Sequence, residues 1–517
     1  MTNFKLNGLE IKADKDDTIW SAAKKNNIEI PHLCHADEIG YNPNGNCRAC
    51  VVEIDGERTL AASCIRKPTE GMIVSSKSEK AKKSQKMIFE LLAADQPDRN
   101  NHPDPDSNFW RWTDKLNMEE IRFPKLKKIE RDISHPSMHV NLEACINCNL
   151  CVRACREVQV NDVIGMAYRG HESKIVFDFD DDMGDSSCVG CGECVQACPT
   201  GALVEKSLVD MLGVKDKAHD RVVDTLCPYC GVGCQTKAYV KDNKIIQIDG
   251  RDGPANNQKL CVKGRFGYDY IHNDGRLLKP LIRRDGKKKE PITKYDKNII
   301  AEYFREASWE EALELSANGF SGIKTKDGSQ ALCGFGSAKG SNEEAYLFQK
   351  LIRTAFGTNN VDHCTRLCHA SSVAALMECV GSGAVSAPFT AVKDSDCAII
   401  IGARPTVNHP VAATYFKNAA KNGTKIIIMD PRKNEMSRMA YKHVAFNPGS
   451  DVSILNAMIY TIIEEELYDK QYVASMTEGF AELKKNIKNF SPEKMSDICK
   501  INAEVIRDIA RVYAKSS

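Results

Sequence analysis

The chain has 517 residues, a formal net charge of +1 and 22 cysteines. Its balanced, interleaved charge excludes a dedicated binder of nucleic acid or anionic membrane, and no apolar run reaches the ~18 residues that span a bilayer. Without an apolar leader or twin arginine after Met1, a secreted disulfide scaffold is excluded too, so the thiols are expected to stay reduced in the cytoplasm and to bind metal.

Length suggests three to four domains at ~150 residues each. Phe4 to Ala13 predicts a hairpin and Thr18 to Asn26 a short helix. Cys34, Cys47 and Cys50 then share one long loop. Val51–Ile54 predicts a strand, Asp55-Gly56 a type I′ turn, and Cys64 follows the hairpin. This quartet resembles a plant-type 2Fe–2S ferredoxin, whose usual opening is C-x4-C-x2-C. The twelve-residue gap from Cys34 to Cys47 resembles the N-terminal domain of complex-I-like, iron-hydrogenase and formate dehydrogenase subunits. A structural zinc ion on the same thiols is the competing reading, although zinc sites usually use two tight CxxC-like pairs.

Between Cys64 and Cys145 there is no cysteine. Relatives with this N-terminal domain often hold a 4Fe–4S cluster there on one histidine and three cysteines. His102 is present without a thiolate to share it, so no cluster is expected. Lys86 to Ala94 predicts a helix, and the Pro- and charge-rich remainder of 95–138 an extended packing segment. The first quartet is therefore expected on a side branch, or reached only through a partner subunit.

Cys145-x2-Cys148-x2-Cys151-x3-Cys155 and Cys188-x2-Cys191-x2-Cys194-x3-Cys198-Pro199 resemble the bacterial two-cluster ferredoxin, in which the fourth Cys of each run ligates the other cluster. One cube should take Cys145, Cys148, Cys151 and Cys198, the other Cys188, Cys191, Cys194 and Cys155. Small residues such as Gly190 and Gly192 should let backbone N–H groups approach the sulfurs. Cys227, Cys230, Cys234 and Cys261 form a fourth quartet. Its sequel, Cys261-Val262-Lys263-Gly264-Arg265, resembles the C-x-K-G motif of the molybdopterin oxidoreductases. The resemblance makes Lys263 a buried cation between cube and pterin, stabilising added negative charge.

From about residue 300 the pattern turns to alternating strand and helix. Ala331–Phe335, Ala398–Ile401 and Lys425–Met429 predict buried strands, and Asn342–Phe356 a helix. Continuous apolar strands belong in a parallel sheet covered on both faces, with ligands at the strands' carboxyl ends. The candidates for holding a pterin dinucleotide are Ser337, Asn342, Gly402, Arg404, Asn408, His409, Asp430, Arg432, Gly449 and Asp451. Arg404 stands where many relatives have Asn. Val361 to Ser372 resembles the metal-ligand loop of molybdenum or tungsten formate dehydrogenases. That resemblance makes Cys368 the metal ligand and His369 the proton-handling residue. Cys333, Cys364, Cys379, Cys397 and Cys499 read as buried small hydrophobes.

The expected fold class is α+β N-terminal ferredoxin modules followed by an α/β, parallel-sheet molybdopterin oxidoreductase domain, incomplete at the C-terminus. The expected domains are 1–78 (2Fe–2S), 79–138 (connector), 139–215 (two 4Fe–4S), 220–276 (one 4Fe–4S) and 277–517 (partial pterin-binding). The resemblance implies a formate dehydrogenase catalytic subunit interconverting formate and CO2. Its cofactors would be one 2Fe–2S cluster, three 4Fe–4S clusters and molybdenum or tungsten on bis-molybdopterin guanine dinucleotide. Its partners would be a flavin- and iron–sulfur-bearing NAD(P)-linked subunit or ferredoxin, and a second polypeptide supplying the C-terminal half. A different class of reading is an iron–sulfur electron-transfer subunit with a non-catalytic pterin domain. An iron-only hydrogenase would need four more grouped cysteines late in the chain, and the spare thiols lie singly.

Overall fold

A computed structural model describes the chain apart from residues 39, 119–120, 126–128, 217, 291–295 and 517. It resolves into two compact units, one of residues 1–266 with 389–517 and one of residues 267–388. Among the described residues no helix is long and apolar enough to cross a membrane.

Strands β1 (Thr2–Leu6) and β2 (Leu9–Ala13) form the expected hairpin. Its turn, Asn7-Gly8, has positive φ at both residues (53° and 85°), as a type I′ turn requires. The turn at Asp55-Gly56 is a correction. Only Gly56 has positive φ (79°), and the Glu57 amide donates to the Ile54 carbonyl at 3.0 Å, so it is type II in form. Helix α1 (Ile19–Lys25) starts at a Thr18/Ser21 capping box. With β3 (Val51–Ile54), β4 (Ala61–Ala62) and β5 (Ile73–Ser75) the sheet runs β2-β1-β5-β3-β4. Its core gathers Phe4, Ile19, Trp20, Val52 and Ile54 around Cys50 and Cys64.

Helix α2 (Glu79–Ala94) begins earlier than the expected Lys86, because the Ser78 hydroxyl caps it by accepting from the Ala81 amide. The stretch expected to be extended also contains a helix, α3 (Asn108–Lys115), capped by Ser107. The pull is apolar: Phe109 is fully buried, stacked on Phe89 at 5.8 Å and edge-on to Trp110 at 5.2 Å.

The next module has a repeated plan. Strand β6 (Met138–Val140) precedes α4 (Leu150–Arg153), which runs into a π turn over Ala154–Val158 and then β7 (Ile164–Ala167). Strand β8 (Lys174–Phe177) precedes α5 (Glu193–Ala197) and β9 (Leu203–Glu205). Strands β6 and β9 pair, as do β7 and β8. Strands β10 (Arg221–Leu226), β11 (Gln235–Lys241) and β12 (Lys244–Gly250) then form an antiparallel sheet, followed by α6 (Val262–Phe266).

Residues 267–388 hold β13 (Leu281–Arg283), α7 (Lys297–Tyr303), β14 (Phe304–Glu306), α8 (Trp309–Asp327), β15 (Gly334–Gly336), α9 (Asn342–Lys350), β16 (Val361–His363), α10 (Thr365–Cys368) and α11 (Ala370–Val380). Strands β15 and β16 are parallel. The strand expected at Ala331–Phe335 is displaced to Gly334–Gly336, because a 3-10 turn takes up Ser329–Ala331.

Strands β17 (Cys397–Ile401), β18 (Lys425–Met429) and β19 (Lys442–Val444) make a parallel sheet. Between them lie α12 (Pro405–Asn408) and α13 (Pro410–Lys421). Helices α14 (Asp451–Glu464), α15 (Lys470–Met476), α16 (Phe480–Asn486), α17 (Pro492–Cys499) and α18 (Ala503–Ala514) follow. Alternation along β18 explains the apolar run. Ile427 and Met429 pack with Ile454, Met495 and Ile506, while Ile426 and Ile428 pack with Ala419 and Met436. Both faces are covered, as a parallel sheet requires.

Phe109→Ala should cost about 3–5 kcal/mol of stability, read as a clear fall in the thermal unfolding midpoint of the anaerobically purified protein.

Candidate functional site

The two CxxCxxC loops share one backbone. Asn147 and Asn149 (φ 51° and 62°) in the first match Gly190 and Gly192 (φ 64° and 69°) in the second. Glycine and asparagine tolerate this region best. The bend turns the Asn147 amide onto Cys145 Sγ and the Gly190 amide onto Cys188 Sγ, each at 3.4 Å. The structure brings Cys145, Cys148, Cys151 and Cys198 together around one cavity. It also brings Cys155 beside Cys188, Cys191 and Cys194. Cys227, Cys230, Cys234 and Cys261 line a further cavity with Lys263 and Asn408. In the first module Cys34 meets the thiols of Cys47 and Cys64, and Cys50 meets Cys64.

These quartets lie in a row. Val262, next to Cys261, packs on Gly190, whose added Cβ would stand 3.1 Å from Val262 Cγ2. Cys198 stands close enough to Cys194 to disfavour its charged form. Cys34 and Cys148 share one apolar cluster with Tyr41 and Leu150. The Arg153 guanidinium, on α4, donates to the Cys34 and Asn42 carbonyls. Asn46 donates to the Asn147 carbonyl at 2.7 Å. The first quartet therefore abuts the second directly, which corrects the expected side branch. His102 is engaged elsewhere: its Nδ1 accepts from the Asp104 amide at 3.1 Å, and its Nε2 pairs with Gln96 Oε1 at 3.0 Å.

The buried cation on α6 is not Lys263, which is exposed, but Arg265, at 0% exposure. Its guanidinium donates to the Cys191 carbonyl, Asp249 Oδ1 and Gln196 Oε1 at 2.8–3.0 Å. An added Cβ on Gly192 would meet Arg265 Cδ at 2.2 Å, so only glycine fits beneath it. Close by, Glu193 accepts from Tyr41 Oη at 3.1 Å and Gln159 Nε2 at 3.2 Å. Glu205 is 1% exposed with neither carboxyl oxygen hydrogen-bonded. Burial pushes its carboxyl up to about 8, Arg265 and Lys215 opposing and Asp249 adding. Sequence reading missed Arg265, Glu205 and Arg153, since no local pattern separates them from surface charges.

The donor chemistry suits iron–sulfur groups. Burial pushes the thiols of Cys145, Cys191 and Cys234 up to about 12, and neighbouring thiols push the same way. Bare, such thiols stay protonated, and four thiolates side by side need compensating cations. Backbone amides already aimed at sulfur supply the remaining partners.

The dinucleotide candidates fall at carboxyl ends of parallel strands. Ser337 and Asn342 follow β15, and the loop to Cys368 and His369 follows β16. Gly402, Arg404, Asn408 and His409 follow β17, Asp430 and Arg432 follow β18, and Gly449 and Asp451 follow β19. Cys368 ends α10, and His369 lies between α10 and α11. Arg404 is held by Glu435, whose carboxyl it pulls down to about 2. Asp430 Oδ1 accepts from the Arg432 amide at 2.8 Å. Of the spare thiols, Cys499 is buried as expected, whereas Cys333, Cys364 and Cys379 are exposed. Cys364 Sγ accepts from the Ala338 amide at 3.3 Å.

Four family profiles match the chain. They are a 2Fe-2S iron-sulfur cluster binding domain over 1–79, a 4Fe-4S dicluster domain over 144–202, a molybdopterin oxidoreductase Fe4S4 domain over 220–273 and molybdopterin oxidoreductase over 276–504. A probable oxidoreductase of Bacillus subtilis (strain 168) is 30% identical over 99% of this chain and 54% of its own length. A Staphylococcus aureus (strain bovine RF122 / ET3-1) protein provisionally named a formate dehydrogenase is 31% identical over 94% of this chain and 51% of its own. The chain thus spans about half the length of the curated relatives it matches. Acetylene hydratase from Pelobacter acetylenicus matches with a TM-score of 0.50 and 25% identity, over 56% of this chain and 38% of that one.

The Glu205 carboxyl, 4.5 when unperturbed and about 8 when folded, contributes stability that is full below pH 4.5 and lost as pH rises through 8. Glu205→Gln should abolish that decline, with a gain on the order of 1 kcal/mol or more at alkaline pH. Thermal midpoints at about pH 6 and about pH 9 check it.

Proposed function

This chain belongs to the molybdopterin oxidoreductases, with 2Fe–2S and 4Fe–4S domains ahead of its molybdopterin domain, and on that premise we propose that it is the catalytic subunit of a cytoplasmic formate dehydrogenase. The observation that carries the reading is the unbroken row of four thiol quartets in a chain whose molybdopterin domain also holds the Cys368-His369 loop at a strand's carboxyl end. A wire of that length serves one-electron transfer to or from a two-electron site.

In this reading Cys34, Cys47, Cys50 and Cys64 hold a 2Fe–2S cluster. Three 4Fe–4S clusters sit on Cys145/Cys148/Cys151/Cys198, Cys155/Cys188/Cys191/Cys194 and Cys227/Cys230/Cys234/Cys261. Cys368 ligates molybdenum or tungsten on a bis-molybdopterin guanine dinucleotide. Bound there, the metal would supply the two-electron acceptor that breaking the formate C–H bond needs, a chemistry the polypeptide lacks. His369, next in sequence to Cys368, accepts the proton and orients the substrate carboxylate. Lys263, which lines the fourth quartet's cavity, supplies a positive charge between that cube and the pterin. The loops at residues 337, 402–409, 430–432 and 449–451 hold the dinucleotide. The first module would be the docking point for a flavin- and iron–sulfur-bearing NAD(P)-linked subunit or a ferredoxin.

Formate-dependent viologen reduction by the native complex tests the assignment. Cys368→Ala should abolish it while the dithionite-reduced iron–sulfur spectrum persists, and retained activity would refute the role of Cys368. His369→Asn should lower the rate by about 10²–10⁴-fold. Metal analysis should find molybdenum or tungsten at about one atom per chain; iron alone would make the chain an electron-transfer subunit.

A further inference from the structure

Lys417 lies on α13, far along the chain from any cysteine quartet, yet it is 7% exposed and buried against the ferredoxin-like module. Its ammonium donates to the Gln159 carbonyl at 2.5 Å, the Val160 carbonyl at 3.1 Å and Asn161 Oδ1 at 2.9 Å. One turn on, Lys421 donates to the Arg156 carbonyl at 2.9 Å. These carbonyls end the π turn that carries Cys155. Two cations at a helical C-terminus satisfy carbonyls that lack partners and complement the dipole.

The loop they grip is strained. Val160 has φ 53° and Asp162 φ 59°, and a β-branched residue in the left-handed region crowds its Cβ against the backbone. Such a conformation persists only where its surroundings hold it. Its result is specific: the Asn161 amide returns to the Cys155 carbonyl at 2.8 Å, and the Val163 amide donates to Cys155 Sγ at 3.3 Å. Hydrogen bonds to ligand sulfur and nearby positive charge both favour the reduced state of an iron–sulfur cluster. The ionisable groups around Lys417 are Cys155, Cys191, Arg438 and Asp162.

We propose that Lys417 is a positioning residue that pins the 159–161 loop so that the Val163 amide stays on Cys155 Sγ, raising the reduction potential of the cluster on Cys155, Cys188, Cys191 and Cys194. A helix of the molybdopterin domain thereby sets the potential of a cluster in the ferredoxin-like domain. The inference rests on that quartet's holding a 4Fe–4S cluster.

EPR-monitored redox titration of the anaerobically purified native complex tests it. In Lys417→Met one 4Fe–4S signal should shift to a lower midpoint while the others stay, and Lys417→Arg should restore the wild-type value. Unmoved signals at full iron content, or an equal shift of all of them, would overturn the proposal. If Lys417→Met loses iron, Lys417→Gln, which still donates to the Gln159 carbonyl, should give a smaller shift of the same signal, and no shift there would overturn it as well. Absence of 4Fe–4S signals from the wild-type protein would instead refute the reading of the quartet itself.

Discussion

Four thiolates in one dry pocket repel one another, and that repulsion constrains most of this molecule. Burial drives the bare thiols toward their neutral forms, so each quartet is stable as a ligand set only when iron supplies positive charge and amides supply hydrogen bonds. The backbone yields to this need. Asn147, Asn149, Gly190 and Gly192 all take positive φ, and in each loop the turn aims an N–H at the first cysteine's sulfur. The side chains that tolerate such φ values are therefore found between the cysteines.

Charge buried next to these pockets is organised in the same way. Among the described residues Arg265 is the one cation fully withdrawn from solvent there, and it bridges the Cys191 carbonyl to Asp249. Glu193 ties Tyr41 of the first module's long loop to Gln159, which in turn donates to the Leu260 carbonyl beside Cys261. One carboxylate network thus touches the surroundings of three quartets. Uncompensated buried charge is costly, and most of these groups have partners. Glu205 is the exception, and its high carboxyl pKa keeps it neutral instead.

Continuity of the row needs close packing as well as ligands. Between the first and second quartets Phe109 and Trp110 pack on Phe89. The resulting apolar cluster reaches Leu33 and Ala49, which flank Cys34 and Cys50. The direct approach of Cys34 to Cys148 follows from that filling and from Arg153, which binds the Cys34 carbonyl from the second module. In the C-terminal part the parallel sheet does the equivalent work, setting polar loops at the carboxyl ends of β17, β18 and β19.

The sequence by itself determined the partition of sixteen cysteines into quartets, because ligand spacing is a local property of the chain. It also determined the hairpin at β1–β2, the capped helix α1 and the strands β17 and β18, of which β18 is buried as expected and β17 only partly, their signals lying within one element. It misjudged α3, where apolar contacts with Phe89 overrode a Pro- and charge-rich context. The turn at Asp55-Gly56 went astray because a dipeptide does not specify its φ values. Which cation is buried, Lys263 or Arg265, depends on Gly192 and Asp249. The adjacency of Cys34 and Cys148, and the grip of Lys417 on a carbonyl 258 residues away, were decided by tertiary structure alone. Ligand spacing is fixed along the chain, but burial and long-range contact exist only once distant segments have packed.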